Sequence, residues 1–169
     1  MKGLIAGNVF SLLGMGADVI STSRKSAKGV LWVQTLGQVL YTISCACLKG
    51  YSAVVQHAVS VARNLVAIRG VQNKAVEWGF VGAAFVLGIL FNNLGIVGWL
   101  PIIANFVYSV AVFRFKEDGC ALKKALLLTL ALYAAFNLSI QNYVGVLSNG
   151  VVLCSTLTFL IKDRKHTDK

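Results

Sequence analysis

The sequence predicts an all-α membrane protein with seven transmembrane helices, arranged as two three-helix units joined by one further helix. Three observations predict this fold. Hydrophobic residues make up 57% of the 169 residues, charged residues make up 13%, and the mean hydropathy is +0.73. Basic residues are concentrated in alternate loops between the apolar runs. Residues 7–68 and 99–160 also match each other at an offset of 92 positions without a gap.

The apolar runs have the length that a bilayer requires. A helix needs about 20 residues to cross the hydrocarbon layer, and seven such helices use most of this chain. The predicted spans are residues 3–22, 29–48, 51–69, 75–92, 96–114, 122–140 and 143–161. We therefore expect a single transmembrane domain over residues 1–169, with short loops and a cytoplasmic tail at 162–169.

The first apolar run follows Met1 and Lys2, as it does in a signal peptide. No convincing small-x-small cleavage site follows the run, and Asp18 interrupts its end. We interpret the run as a retained first helix.

The internal repeat divides the chain into repeat one at about 3–69, a linker helix at about 75–92 and repeat two at about 96–161. Three spans alone would invert the second copy, so the linker helix lets both units insert in the same orientation. The clearest identities at the offset of 92 are the pairs Leu40/Leu132, Tyr41/Tyr133 and Tyr51/Tyr143.

The distribution of basic residues predicts the orientation of the chain in the membrane. Thirteen of the sixteen Lys and Arg residues fall on one side of the predicted spans: Arg24, Lys25, Lys28, Arg69, Lys74, Arg114, Lys116, Lys123, Lys124, Lys162, Arg164, Lys165 and Lys169. Because cytoplasmic loops carry the excess of Lys and Arg, we expect the N-terminus outside and the C-terminus in the cytoplasm. We therefore interpret the net charge of +10 as a sign of membrane orientation and not of nucleic-acid binding.

Polar residues inside the spans are the candidates for function, because they are costly in lipid and normally face the bundle interior. On the third span, Gln56, His57, Ser60, Arg63 and Asn64 follow a helical spacing that predicts one inward face. Adding 92 gives a second polar stripe on the seventh span: Ser148, Asn149, Val152, Ser155 and Thr156.

Spans two and six carry a further pair of stripes, whose members differ between the two units. Gln34, Gln38, Tyr41 and Cys45 correspond to Leu126, Leu130, Tyr133 and Asn137. Two interpretations stay open for all these stripes: hydrogen bonds that hold helices together, at about 0.6 kcal/mol each, or a hydrated central cavity. For the cavity we predict these substrate-binding residues: Asn64, His57, Asn149, Asn137, Tyr41 and Tyr133.

Two charged residues within the spans, Asp18 and Arg63, are predicted at similar depth on the cytoplasmic side. We expect them to form a structural ion pair, because a partner reduces the cost of a charge in the membrane. The alternative is that Arg63 extends towards the cytoplasmic surface.

The sequence favours no enzyme, metal or cofactor. It contains no phosphate loop, HExxH, nucleophile elbow or His-rich cluster, and its two histidines are His57 and His166. The four cysteines lie in or beside apolar spans without metal-ligand spacing. We expect them to act as small buried hydrophobic residues.

Several segments carry a resemblance that covers most of the chain. They are Gly50-Tyr51-Ser52-Ala53, Ala62-Arg63-Asn64, Trp99-Leu100-Pro101-Ile102-Ile103, Ala111-Val112-Phe113-Arg114, Phe136-Asn137 and Tyr143-Val144-Gly145. On these segments the chain resembles the YgjV-type bacterial inner membrane proteins, a family related to the sugar-transporting SWEET and vitamin-transporting PnuC groups.

The resemblance implies a SWEET-like 3+1+3 fold of two parallel triple-helix bundles, located in the bacterial inner membrane. It also implies that Asn64, on the third helix of its bundle, contacts substrate, whereas its counterpart Thr156 departs from the usual asparagine. Half-size relatives dimerise to complete one pathway, so a chain with both bundles is expected to work as a monomer.

We therefore expect a transporter that moves a small polar metabolite by alternating access between the two bundles. The alternative is a membrane protein that transports nothing and instead binds or stabilises a membrane partner. Transfer of function from fold alone is analogy, so the site itself must decide between them.

Overall fold

The computed structural model describes residues 2–22, 27–69, 73–114 and 119–167. These residues form seven α-helices and no strand, which confirms the predicted all-α class. The helices are α1 (Lys2–Thr22), α2 (Ala27–Cys47), α3 (Tyr51–Ile68), α4 (Lys74–Leu90), α5 (Trp99–Arg114), α6 (Gly119–Ser139) and α7 (Tyr143–Thr167).

The loop between α4 and α5 is longer than the sequence suggested, because α5 begins at Trp99 and not at 96. The side chain of Asn92 accepts from the backbone N–H of Leu94 at 3.1 Å and donates to the carbonyl of Gly95 at 2.8 Å. Gly95 has a φ of 56°, which glycine adopts without steric cost. These contacts hold the chain in a turn and delay the start of the helix.

The length and hydropathy of the helices identify fewer transmembrane spans than the seven predicted from the sequence. Among the described residues, the stretch Lys2–Ile20 of α1 is the one helix long and apolar enough to cross a membrane. Shorter apolar stretches lie at Trp99–Ala111, Leu127–Ser139 and Tyr143–Thr158. Helix α3 contains several polar residues and α4 has only 17 residues, so neither is both long and apolar enough to be identified as a membrane span in this way. Seven membrane-spanning helices therefore stay a prediction.

The burial pattern is unusual for a water-soluble protein, because many buried residues are polar and many large apolar side chains are exposed. Buried positions include Gln56, Asn64 and Asn105, while Ile96 and Leu90 are 88% and 71% exposed. An apolar surface of this kind is unfavourable in water and suits contact with lipid chains. The buried polar residues in the described chain are Ser11, Thr35, Ser44, Ser52, Gln56, Ser60, Asn64, Asn105, Ser109, Thr129, Asn137, Asn142, Ser148 and Thr156.

Helix boundaries and turn geometry repeat at the same offset of 92 residues as the sequence. Helices α6 and α7 each begin 92 residues after α2 and α3, and α6 ends 92 residues after α2. Lys49 and Gln141, which are also 92 apart, are the two described non-glycine residues with positive φ, at 61° and 59°. In both turns the next residue donates its N–H to a carbonyl five positions earlier, at 2.8 Å. The two turns therefore have the same helix-ending geometry.

The helices pack in the cyclic order α1, α2, α3, α5, α6, α7, with α7 returning to α1. The contact between α3 and α5 and the contact between α7 and α1 correspond to each other when the two halves are exchanged. Helix α4 packs against α3 and α5. This order places α2 and α6 on opposite sides of one central region.

An apolar cluster lies where the two turns approach each other. Its buried members are Cys45, Ala53, Phe136 and Ile140, which come from both halves of the chain. A Cβ added to Gly50 would lie 2.9 Å from Cζ of Phe136, so this approach requires glycine. We call these residues the apolar cluster; it fills the end of the central region nearest the turns.

Candidate solute-binding site

Three aromatic rings meet in the central region, and two of them are repeat-equivalent. Tyr41 of α2 stacks on His57 of α3, with ring centroids 5.6 Å apart and planes inclined by 29°. His57 also stacks on Tyr133 of α6, at 5.9 Å and 24°. The sequence prediction named all three, and the structure brings them together as one stack across the two units.

The stack lies at one depth in the bundle. Tyr41 and Tyr133 each precede the positive-φ residue of their turn by eight positions, and His57 follows the start of α3 by six. At about 1.5 Å per residue, these spacings correspond to roughly 9–12 Å from the turns. That distance approaches half of a hydrocarbon layer about 30 Å thick.

A hydrogen bond fixes the chemistry of His57. Its Nδ1 lies 2.7 Å from Oε1 of Gln38 on α2. A carbonyl oxygen only accepts, so Nδ1 carries the proton and Nε2 of the neutral ring is left as an acceptor. Gln38 belongs to the polar stripe predicted on the second span, although it was not among the predicted binding residues.

Tyr41 is held against α1. Its hydroxyl donates to Oδ2 of Asp18 at 2.9 Å, and the hydroxyl of Ser148 on α7 lies within hydrogen-bonding reach of it. A Cβ added to Gly14 would lie 2.8 Å from Cε1 of the Tyr41 ring. Glycine at this position of α1 therefore makes room for the ring.

Two of the predicted asparagines have side-chain amide atoms to which the described residues provide no hydrogen bond. The Nδ2 atom of Asn149, the repeat counterpart of His57, is buried and forms no hydrogen bond with the described residues. Asn64 is 6% exposed, and its side chain forms none of the hydrogen bonds found in the described chain. Buried polar groups are nearly always paired, so amides in this state are suited to meet a solute or water.

Asn137 has a structural contact. Its Oδ1 accepts from Nδ2 of Asn142 at 3.0 Å, and the Oδ1 of Asn142 accepts from the backbone N–H of Gly145 at 3.1 Å. These bonds connect α6 to the first turn of α7. Asn137 thus supports the turn, and a contact with substrate stays a prediction for it.

The structure gives Asp18 and Arg63 different partners. Asp18 accepts from Tyr41, whereas Nη1 of Arg63 lies 3.4 Å from Oγ of Ser109 on α5. No contact between the two side chains is present in the part of the chain that the structure describes, so the ion pair remains a prediction without support.

The polar face predicted on α3 divides into two. His57 and Arg63 are six residues apart, which rotates them by about 120° relative to each other. His57 points to α2 and α6, while Gln56 and Arg63 point to α5. Residue spacing alone grouped side chains on one face of α3 that in the structure point to different neighbouring helices.

A polar chain between α3, α4 and α5 was missed by the sequence analysis. Nε2 of Gln56 donates to the carbonyl of Ala84 at 2.9 Å, and Nδ2 of Asn105 donates to Oε1 of Gln56 at 2.6 Å. Ser109 continues the chain towards Arg63, at 3.5 Å from Oδ1 of Asn105. The available signal was Asn105 and Ser109, four residues apart within the fifth apolar run.

Two asparagines outside the predicted set bind the backbone of the two turns, Asn8 from the other repeat and Asn93 from the loop between α4 and α5. Asn8 of α1 donates to the carbonyl of Gln141 at 3.1 Å and accepts from the N–H of Val144 at 3.2 Å. Asn93 donates to the carbonyl of Lys49 at 2.8 Å and accepts from the N–H of Tyr51 at 3.2 Å. We call Asn8 and Asn93 the turn clamps.

The cysteines divide by environment. Cys45 is buried, Cys47 is half-buried and Cys154 is exposed, and all three are free thiols. Burial at Cys45 agrees with the prediction, whereas exposure at Cys154 does not, because its helix turns that face outward. The side chain of Cys120 lies outside the described residues. Within those residues, no group of three or more His, Cys, Asp or Glu side chains is placed to hold a metal ion.

The chain belongs to the Imp-YgjV family of bacterial inner membrane proteins, whose sequence model matches residues 5–167. Comparison with curated proteins and with solved structures gives no match. The family assignment confirms the predicted inner-membrane location. It also accounts for the many exposed apolar side chains, which in an inner membrane protein face lipid.

Proposed function

We propose that this inner membrane protein is a transporter that moves a small polar metabolite through the central region between its two three-helix units. The observation that carries the proposal is the stack of Tyr41, His57 and Tyr133, formed by residues from both units at one depth. A site shared by two repeats near the membrane midplane is a recurrent transporter design.

The hydrogen-bonding inventory around the stack supports a polar solute. Nε2 of His57 offers an acceptor, Nδ2 of Asn149 offers a donor, and the amide of Asn64 offers both. Groups that only held helices together would be expected to find protein partners, as Asn137 and Asn105 do.

Alternating access requires that one end of the site opens while the other is closed. The apolar cluster and the turn clamps both lie at the end nearest the two turns. We infer that this end is closed here, and that rocking of the units would part the cluster and break the clamps. By the charge pattern, this end faces outward, with the N-terminus outside and the C-terminus in the cytoplasm.

We further propose a 3+1+3 arrangement, with α4 as the linker helix, and a relationship to the SWEET and PnuC groups. The equal offsets of helix ends and turns support two copies of one unit. The contacts of α1 with α7 and of α3 with α5 fit a pseudo-two-fold relation between these copies.

The test is a thermal-shift screen of the detergent-purified protein against sugars, nucleosides, vitamins and amino acids, followed by uptake assays in proteoliposomes. A bound ligand raises apparent stability by mass action. The informative variant is Asn64→Ala, because this side chain gives up no described protein hydrogen bond when it is truncated. We expect a ligand-induced shift and uptake in the wild type, and loss of both in a variant that is folded.

Leu147→Ala is the matched control, because Leu147 lies on α7 with 62% of its surface exposed to the lipid side. It should retain the ligand response. A flat response to every solute class, together with destabilisation by Asn64→Ala, would contradict transport. That result would favour the alternative, a membrane protein whose inward polar residues hold helices together and which binds a membrane partner.

A further inference from the structure

Arg63 lies within the helix bundle, where a charged side chain is energetically costly. It is half-buried on α3, five residues before Ile68. Its partner Ser109 also lies five residues before the end of its helix, at Arg114. The guanidinium therefore extends sideways to α5 at its own depth and does not run along α3 to the cytoplasmic surface, which was the alternative in the sequence.

The described contacts of the guanidinium leave most of its capacity unused. Arginine has five N–H donors, and Ser109 takes one of them at the long distance of 3.4 Å. The carboxylates whose side chains are described are Asp18 and Glu77, and neither contacts Arg63 in the described chain. An intramembrane cation of this kind is normally kept because it contacts a substrate or an ion pathway.

The surroundings of Arg63 connect it to the aromatic stack. The phenols of Tyr133 and Tyr108 lie within electrostatic range of the guanidinium. Tyr133 is also one of the two outer rings of the stack on His57. A negative group bound to Arg63 would therefore also lie within electrostatic range of the Tyr133 hydroxyl.

We propose that Arg63, with Ser109 and the phenol of Tyr133, forms an oxyanion subsite that binds the carboxylate of the transported solute. A guanidinium presents parallel N–H donors that match a carboxylate in two-point geometry, while Ser109 accepts one further N–H and so holds the guanidinium beside α5. The stack then accommodates the body of the solute. This inference rests on the proposed transport function and narrows its substrate class from polar metabolites to small carboxylates.

The phosphate of an anionic lipid headgroup is an oxyanion that can bind a guanidinium as a carboxylate does. The experiment must therefore separate a lipid headgroup from a soluble carboxylate. The electrostatic range between Arg63 and the phenol of Tyr133 favours the soluble solute, because this phenol belongs to the aromatic stack deeper in the bundle. A lipid headgroup would stay nearer the end of α3.

The experiment measures binding of benzoate and benzamide to the purified protein by thermal shift and calorimetry in neutral detergent. A parallel arm compares nanodiscs of phosphatidylglycerol with nanodiscs of phosphatidylcholine. The variants are Arg63→Gln and, as matched control, Arg69→Gln, which removes the same charge from an exposed residue beyond the end of α3.

We expect benzoate to stabilise the wild type and Arg69→Gln, and to bind Arg63→Gln at least about tenfold more weakly. Benzamide, which has the same ring without the charge, should bind the wild type as weakly as benzoate binds Arg63→Gln. Equal binding of benzoate to both variants, or stabilisation by phosphatidylglycerol alone, would overturn the proposal. If Arg63→Gln does not fold, Arg63→Lys replaces it, since a point charge without the two-point geometry should also weaken benzoate.

The outcomes separate this inference from the proposed function. Uptake of a neutral solute that depends on Asn64 but not on Arg63 would retain transport and reject the oxyanion subsite. Benzoate binding that depends on Arg63, without uptake of any carboxylate in proteoliposomes, would support the subsite and reject transport.

Discussion

Tyr41 and Tyr133 occupy equivalent positions in the two units and stack on the same histidine, yet their surroundings have opposite charge. Tyr41 donates its hydroxyl to the carboxylate of Asp18. Tyr133 lies in the field of Arg63. At the turns, by contrast, the units agree in helix boundaries, backbone angles and hydrogen-bond lengths.

The two units therefore share a backbone and differ in their interior side chains. The counterpart of Asp18 is Val110, and the counterpart of His57 is Asn149. The site has the carboxyl group of Asp18 near one outer ring and the guanidinium of Arg63 near the other, so its two ends are chemically different. We therefore expect it to hold a solute in one orientation, although the scaffold around it is nearly symmetric.

The largest expected effect breaks the contact of Tyr41 with α1. Gly14→Val would force a side chain into the Tyr41 ring, because a Cβ at this position would lie 2.8 Å from the nearest ring atom. Overpacking of this kind costs about 1–3 kcal/mol. Gly16→Val is the control, because nothing lies within 4 Å of its Cβ position. Thermal unfolding in detergent should show a large loss for the first variant and little change for the second.

Removing the tyrosine hydroxyls tests the difference in charge directly. Tyr41→Phe keeps the stack but deprives Asp18 of a hydrogen bond, at a cost of about 0.5–1.5 kcal/mol. Tyr133→Phe gives up none of the hydrogen bonds in the described chain. We expect the unfolding temperature to fall clearly in the first variant only. Equal losses would mean that the two tyrosines have equivalent environments.

Asn149 offers a test in which stability and activity should move in opposite directions. Its Nδ2 is buried and has no hydrogen-bond partner among the described residues, and such a group costs about 1 kcal/mol or more in the folded state. Asn149→Ala should therefore unfold at the same or a higher temperature while solute uptake falls. A variant that loses both stability and uptake would show that the amide holds the helices together.

The smallest effect concerns the turns, where the units should respond alike. Lys49 and Gln141 have positive φ, which costs a non-glycine residue about 1 kcal/mol. Lys49→Gly and Gln141→Gly should each stabilise the protein by up to about that amount. Melting curves that differ in sign between the two variants would contradict the equivalence of the turns.

The sequence was sufficient for the features that depend on local pattern. Apolar runs with basic loops defined seven helices, and the offset of 92 paired Tyr41 with Tyr133 before any contact was known. It also put His57 on the face of α3 that meets them. Those features follow from periodicity and repetition, which are properties of the chain itself.

The partners of polar side chains required the structure. Asp18 and Arg63 looked complementary in depth, but depth does not determine which neighbour a side chain faces around a helix. Asn137 was predicted to contact substrate, and the structure adds its hydrogen bond with Asn142, which supports the turn; the substrate contact stays a prediction. Gln56 and Asn105 pair between helices that are distant in sequence, so no local signal joined them.

Hydration of the central region, on which the transport proposal depends, can be measured by the reactivity of single cysteines towards a charged, water-soluble methanethiosulfonate reagent in membrane vesicles. Asn149→Cys and the control Leu147→Cys lie two positions apart on α7, one facing the central region and the other facing lipid. Each is placed in a chain whose native cysteines are replaced by alanine.

A hydrated central site predicts modification of the cysteine at 149, slowed by a bound solute, and no modification at 147, because the reagent does not enter lipid. Modification at neither position would mean that the region around Tyr41, His57 and Tyr133 is a sealed protein interior. Transport through this region would then be contradicted.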